Sequence, residues 1–350
     1  MPERVIREGT HPFRPRPRLS PLLRRPAVLL AAAILLALCI LASLFVGSSR
    51  IPADQVAHYL LHPDASNVSY NINVLRVQRT IIGVLVGAAL AVAGAIMQAV
   101  TRNPLAEPGL LGVNAGASLG IVLGTAALGV LPVPGQLLLA AGGALTATAL
   151  VQVIGMIGGS TSSPVRLVLI GVAFSAFAGA VIRGVVLTMP NLFRTFIDWE
   201  VGSLTRADIP LLPMTLLVAL GTGAALLLAG ALDNIALGDD VAAALGTRVG
   251  LVRGLSLVVV TLLCATATTV AGPIGFVGLM APLTASWLMG PHRGWIVALC
   301  ALGGPVVVLA ADVLGRVLAR PGEMQVGLLT AFVGSPVLLL MVLRMKDRAS

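Results

Sequence analysis

From Gly254 to Met289 the chain carries no acidic or basic side chain. About 20 apolar residues are enough to cross a bilayer. A run of this length therefore holds two crossings, hinged near Ala271-Gly272-Pro273-Ile274-Gly275, where Gly and Pro favour a break. The rest of the chain follows the same rule. Only 11% of its residues are charged and 57% are hydrophobic, whereas soluble domains carry about 25% charged residues. Together with a mean hydropathy of +0.99, this argues against a water-soluble fold and for an all-α integral membrane protein.

Marking spans by their polar punctuation gives about ten transmembrane helices. The first is expected over Ala27–Gly47, and the polar segment Ser48–Asn73 follows it on the outside. The second runs from about Leu75 to Val100 and returns to Thr101-Arg102-Asn103-Pro104. Two more fit at Leu110–Leu128 and Gly135–Ile157, separated by the turn-like Leu131-Pro132-Val133-Pro134-Gly135. After the polar loop Gly158–Pro164, expected to be cytoplasmic, a fifth span runs from Arg166 to Leu187. Residues 189–210 mix Phe193, Phe196 and Trp199 with charged side chains, which predicts an amphipathic element on the outer surface. The sixth span is Leu211–Leu232, the ninth starts at Trp295 and ends near Arg316, and the tenth is Gln325–Leu343. The organisation expected is a basic tail over 1–26, one transmembrane domain over 27–344 and a short tail over 345–350. A weak internal echo links Pro108-Gly109-Leu110-Leu111-Gly112 with Gly272–Gly278.

Charge fixes the expected orientation. Seven arginines lie between Arg4 and Arg25, and Arg344, Lys346 and Arg348 close the chain. Positive residues favour the cytoplasmic side, so both termini are expected there, in keeping with an even number of spans. The basic balance of +9 reflects this topology rather than nucleic-acid binding. The long run after Arg25 is not followed by a small-residue cleavage site, unlike a signal peptide. Cys39, Cys264 and Cys300 all sit in apolar runs and read as packing residues, not as a disulfide or metal cluster. Abundant Gly, at 39 residues, suits close helix approach in lipid.

Chemistry of the usual kinds is not legible. A phosphate-binding loop needs Lys after a Gly-rich turn, yet the only lysine is Lys346. ATP hydrolysis by this chain is therefore not expected. His11, His58, His62 and His292 lack zinc-type spacing, and no nucleophile, base and orienting group form a set. No catalytic residue, metal ligand or cofactor is assigned.

Leu75-Arg76-Val77-Gln78-Arg79-Thr80, Gly94-Ala95-Ile96-Met97-Gln98 and above all Thr101-Arg102-Asn103-Pro104-Leu105-Ala106-Glu107-Pro108-Gly109-Leu110-Leu111-Gly112-Val113-Asn114-Ala115-Gly116-Ala117 resemble the permeases of type II ABC importers, which carry ferric siderophores, haem and cobalamin. Trp199–Leu204, Leu237-Gly238-Asp239-Asp240, Ala244-Leu245-Gly246 and Ala271–Leu279 continue the match. Within that family, Gly112–Ser118 and Ser163–Leu167 are most similar to the ferric-enterobactin type. Leu283 after Pro282, where His is common, and Gln325, where Pro is common, depart from the pattern.

The resemblance implies a permease architecture and an assembly. A second permease, identical or paralogous, and two ATP-binding-cassette ATPases would join the chain in the bacterial inner membrane. An extracytoplasmic binding protein would deliver a ferric siderophore, of catecholate type by preference. Haem or cobalamin is the alternative cargo, and a stand-alone secondary transporter the alternative class. Arg76, Arg79 and Arg316 would meet acidic residues on the binding protein; as plain residues they also fit snorkelling anchors, with Arg316 in an i,i+4 pair with Asp312. The insertion 233–253, with Asp239, Asp240, Leu245, Gly246, Thr247 and Arg248, would meet the ATPase. Arg183, inside the fifth span, fits either an anionic-substrate path or a headgroup contact. Glu107 reads as a cap for the start of the third span. The resemblance also implies that spans five, eight and ten line the path.

Overall fold

The computed structural model describes residues 21–157, 164–189, 196–197, 199–205 and 209–349. The basic tail before Pro21, the loop 158–163 and most of the expected amphipathic element within 189–210 lie outside the described residues.

Among the described residues, ten apolar helices are long or apolar enough to build a membrane bundle. Seven are long enough to cross a membrane, and three shorter ones span Val113–Leu128, Val277–Met289 and Val326–Leu340. In order they are α1 (Pro21–Phe45), the surface helix α2 (Ala53–Leu61), α3 (Asn67–Tyr70), α4 (Val77–Thr101), α5 (Val113–Leu128), α6 (Val133–Met156), α7 (Pro164–Thr188), α8 (Leu211–Ala236), the short α9 (Asp239–Ala244), α10 (Val249–Ala271), α11 (Val277–Met289), α12 (Arg293–Leu318) and α13 (Val326–Ala349). Ser66 starts α3 as its N-cap, its hydroxyl accepting from the Ser69 amide at 3.1 Å. A π turn over Asn71–Arg76 then joins α3 to α4 without a break. The second span thus begins earlier than hydropathy indicates, because Asn71, Asn73 and Arg76 all bond within the protein.

α4 is the axis. Every residue from Val86 to Val100 is buried, as a helix apolar on all sides requires, and α8, α10, α11 and α12 surround it. Small residues make this possible. A Cβ on Gly87 would sit 2.6 Å from the Pro305 backbone, and one on Gly94 would overlap the Gly278 carbonyl. The helices touch backbone to backbone, so dispersion and not side-chain volume holds them.

α11, with 13 residues, rises only about 20 Å, short of the roughly 30 Å apolar layer. Its crossing is completed by the non-helical stretch 272–276. The segment 102–112 after α4 turns back beside it. Pro108 lies 3.0 Å from a Cβ built on Gly278, and Glu107 accepts from the Phe276 amide at 3.1 Å. The two Gly/Pro segments that echo one another in sequence therefore lie against each other. Non-helical backbone at this depth is tolerated because protein surrounds it.

Trp199, expected at the outer surface, is 2% exposed. Its carbonyl sits where a Cβ on Gly272 would be, and the neighbouring Ser203 amide donates to Ala271 at 2.7 Å. The aromatic belongs to the main buried cluster, and its backbone packs against the end of α10.

Gly94→Ala is expected to lower the thermal midpoint of the purified protein by many degrees, since its methyl meets backbone that cannot yield. Gly223→Ala, with nothing within 4 Å, should leave the midpoint unchanged or slightly raised. Equal midpoints for the two variants would refute backbone contact at Gly94 as the packing determinant.

Candidate functional site

Arg76, Arg79 and Arg316 converge at one end of the bundle. α4 supplies Arg79, α12 supplies Arg316 and Asp312, and the π turn supplies Arg76. Arg316 is 1% and Asp312 0% exposed. Asp312 accepts from Arg79 Nε at 3.0 Å, Arg79 Nη2 at 2.6 Å and Arg316 Nη2 at 2.7 Å. Arg79 also pairs with Glu323 at 2.5 Å, and Glu323 accepts from the Ser48 hydroxyl at 2.7 Å.

The remaining donors point at the C-terminal carbonyls of α1. Arg316 Nη1 donates to Ser43 and Val46 at 2.8 Å each, Arg76 Nη1 to Leu44 at 3.0 Å, and Arg320 to Gly47 at 2.9 Å. A helix C-terminus presents unpaired carbonyls and a negative dipole end, and guanidinium groups answer both. Arg76 and Arg316, expected to meet a partner, spend their donors on the chain itself. The i,i+4 pair with Asp312 is present. A small cleft of about 140 Å³ opens here, lined by Arg76, Arg79, Arg316 and Glu323 together with Ser48, Ser49 and Thr205. Burial pushes the Glu323 carboxyl up, but the nearby Arg79 charge and the bonds from Ser48 and Arg79 pull it net below its ordinary value.

At the other end of the bundle, α9 stands on one carboxylate. Asp239 accepts from Arg253 at 3.0 Å and pairs with Arg102, whose Nε donates to the Ile235 carbonyl at 2.8 Å. Asn234 ties Thr247 at 2.9 Å. Asp240, Leu245, Gly246 and Arg248 face outward, and Leu245 is 58% exposed beside exposed Leu237 and Val241. Gly246 has φ +81° with nothing near its Cβ position, so the turn after α9 needs glycine for its backbone alone. Of the six residues read as one surface, Asp239 and Thr247 instead fasten it from beneath. Arg102 and Arg253 were the missed partners; Arg253 closes the same insertion, whereas Arg102 lies far away in sequence and gave no local signal.

Arg183 lies exposed on α7, its guanidinium folded back toward Gly179, and it has no hydrogen-bond partner among the described residues. Phe177 and Leu187 are exposed on the same helix. His58 and His62 stack at 5.3 Å on α2, and no group of three metal-ligating side chains occurs among the described residues. Glu107 does not cap the third span; it accepts from Phe276, at the start of α11.

Residues 35–344 match the FecCD transport family. The chain is 43% identical to the ferric enterobactin transport system permease protein FepD of Escherichia coli (strain K12), over 86% of this chain and 90% of that one. It is 38% identical to the Fe(3+)-citrate import system permease protein YfmD of Bacillus subtilis (strain 168), over 85% and 88%. Identity to the hemin transport system permease protein HmuU of Yersinia pestis is 36%, over 79% and 84%. Its fold is similar to an inward-facing conformation of a metal-chelate type ABC transporter, with TM-score 0.80, 25% identity and coverage of 91% and 99%.

Asp312→Asn should destabilise the protein by about 3 kcal/mol, because it strands two buried guanidinium groups. Thermal unfolding in detergent measures this, and a shift within error of the wild type would refute the network's structural role. Arg316→Lys should also destabilise, since an ammonium cannot reach two carbonyls and a carboxylate at once.

Proposed function

The chain belongs to the FecCD transport family, and from that premise we propose that it is the permease subunit of an ATP-driven importer of ferric siderophores, with catecholates as the preferred class. The observation that carries the cargo is the 43% identity to the ferric enterobactin permease. The alternative cargoes are haem, supported by the 36% relative, and cobalamin. A stand-alone secondary transporter is the less favoured class: Asp312 is neutralised by two arginines and not poised to couple an ion.

Two permeases, identical or paralogous, would enclose the path, with two ATPases below and a binding protein above, and both termini of this chain in the cytoplasm. The α9 turn is the proposed ATPase contact. Its exposed Leu237, Val241 and Leu245 offer an apolar surface, and Asp239 joins that surface to Arg102 at the end of the central helix. A push on α9 would thus reach α4 directly. ATP binding would shift the population between inward-open and outward-open states. At the far end, the rim formed by Arg79 and Glu323 is the proposed docking ground, with Arg76 and Arg316 holding the floor beneath it. Arg183, a cation on an otherwise apolar face, fits a wet and anion-tolerant path better than lipid.

Radioiron uptake tests the reading in cells lacking their own permease, supplied with this chain, its ATPase and its binding protein. Uptake of iron as enterobactin is expected, while haem or cobalamin uptake in its place would reassign the cargo. Transport without the ATPase would overturn the importer class. For orientation, Ala65→Cys should react with an impermeant thiol reagent added outside, and a protected Cys there would invert the topology.

Gly246→Val should leave insertion intact and cut uptake at least tenfold. A non-glycine residue pays roughly 1–2 kcal/mol in left-handed backbone, and a β-branched one more, so the turn relaxes to another shape. Wild-type uptake by this variant would exclude the α9 turn as the coupling element.

A further inference from the structure

Among the described residues, two that are not glycine hold left-handed backbone: Arg102 at φ +51° and Phe276 at φ +68°. Such a conformation persists only where the surroundings over-determine it. The two are ends of one short path. Arg102 closes α4 and is gripped by the Ile235 carbonyl and by Asp239 at the start of α9. Further along the same segment, Glu107 turns inward and its Oε1 accepts from the Phe276 amide at 3.1 Å.

Phe276 in turn immediately precedes α11 and abuts α13. A Cβ on Gly334 would lie 2.7 Å from the Phe276 Cβ. The far end of the segment presses on α7, where Gly171 leaves no room for a Cβ beside the Leu110 carbonyl and Phe174 lies 3.0 Å from a Cβ on Gly112. Segment 102–112 thus touches the α9 end of the molecule and α7 and α11 directly, and reaches α13 through Phe276. Glu107 has no ion-pair partner among the described residues. A largely buried carboxylate is costly, and here it meets a single backbone amide on the strained residue.

We propose that Glu107 is a positioning residue of the transport cycle, which passes displacement of α9 and Arg102 to Phe276 and so to the starts of α11 and the middle of α13. This rests on α9 being the ATPase contact. What Phe276 requires is an acceptor oxygen at that point, not a negative charge. Gln supplies one and Ala does not.

The test uses the full permease–ATPase complex with Cys39→Ser and a fluorophore on Phe332→Cys, an exposed α13 position near Gly334. ATP with vanadate should shift the emission in this background and in Glu107→Gln. Glu107→Ala should assemble with the ATPase and hydrolyse ATP at rates within about twofold of the background, yet show no shift, and radioiron uptake should fall at least tenfold. A shift in Glu107→Ala equal to the background, or a Glu107→Gln chain as defective as Glu107→Ala, overturns the proposal. So does loss of assembly in Glu107→Ala, which would make the residue a structural support only. If the background itself shows no shift, the α9 coupling reading fails, and the relay from Glu107 fails with it. If the shift is seen but no iron is taken up from enterobactin, only the cargo is wrong.

Discussion

Everything in this molecule depends on how closely other helices can approach α4. Gly87 against Gly304 and Pro305, and Gly94 against Gly278, bring backbones into direct contact. In lipid there is no hydrophobic gain from moving an apolar side chain from acyl chains to protein, so close packing must supply the association. This contact fixes the depth of α11 and places the two non-helical segments beside α4, where their backbone can be enclosed. A larger residue at either glycine would displace the segment that carries Glu107 and Phe276, and not only one helix pair.

Charge is handled by the same economy. Asp312 serves two guanidinium groups, and those groups in turn serve the exposed carbonyls at the end of α1. Removing any one member leaves another buried and unpaired, which is why such a network is costly to break even where its net contribution is small. At the opposite end, Asp239 plays the corresponding part for Arg102 and Arg253. The two ends differ in outlook: the Asp312 cluster closes inward, whereas the Asp239 cluster supports an exposed apolar turn.

Apolar runs and the polar punctuation between them made about ten helices legible, and the Gly/Pro run at 271–275 marked the junction that separates α10 from α11. Gly246 was singled out in the sequence as part of the insertion 233–253, but its backbone requirement, φ +81°, shows only in the fold. Other features depended on partners far away in sequence. Arg76 and Arg316 were visible as unusual cations, but their acceptors are carbonyls of α1, and a carbonyl has no sequence signature. Trp199 looked like an interfacial aromatic because its charged neighbours dominate any local window, while its burial in the main cluster depends on helices distant in sequence. Glu107 was read as a cap for the third span, yet it accepts from Phe276, which no local pattern could indicate. Helix α2 lay in a segment read only as polar and outside.

The short length of α11 has a mechanical corollary. A helical residue advances the chain by about 1.5 Å and an extended one by about 3.3 Å. Each residue of 272–276 that passes from one state to the other therefore moves the start of α11 along its axis by about 1.8 Å. A straight helix of full length would have to tilt or slide as a rod to achieve the same travel. Here a few dihedral changes beside Phe276 would give that travel, with a stroke set by residue count.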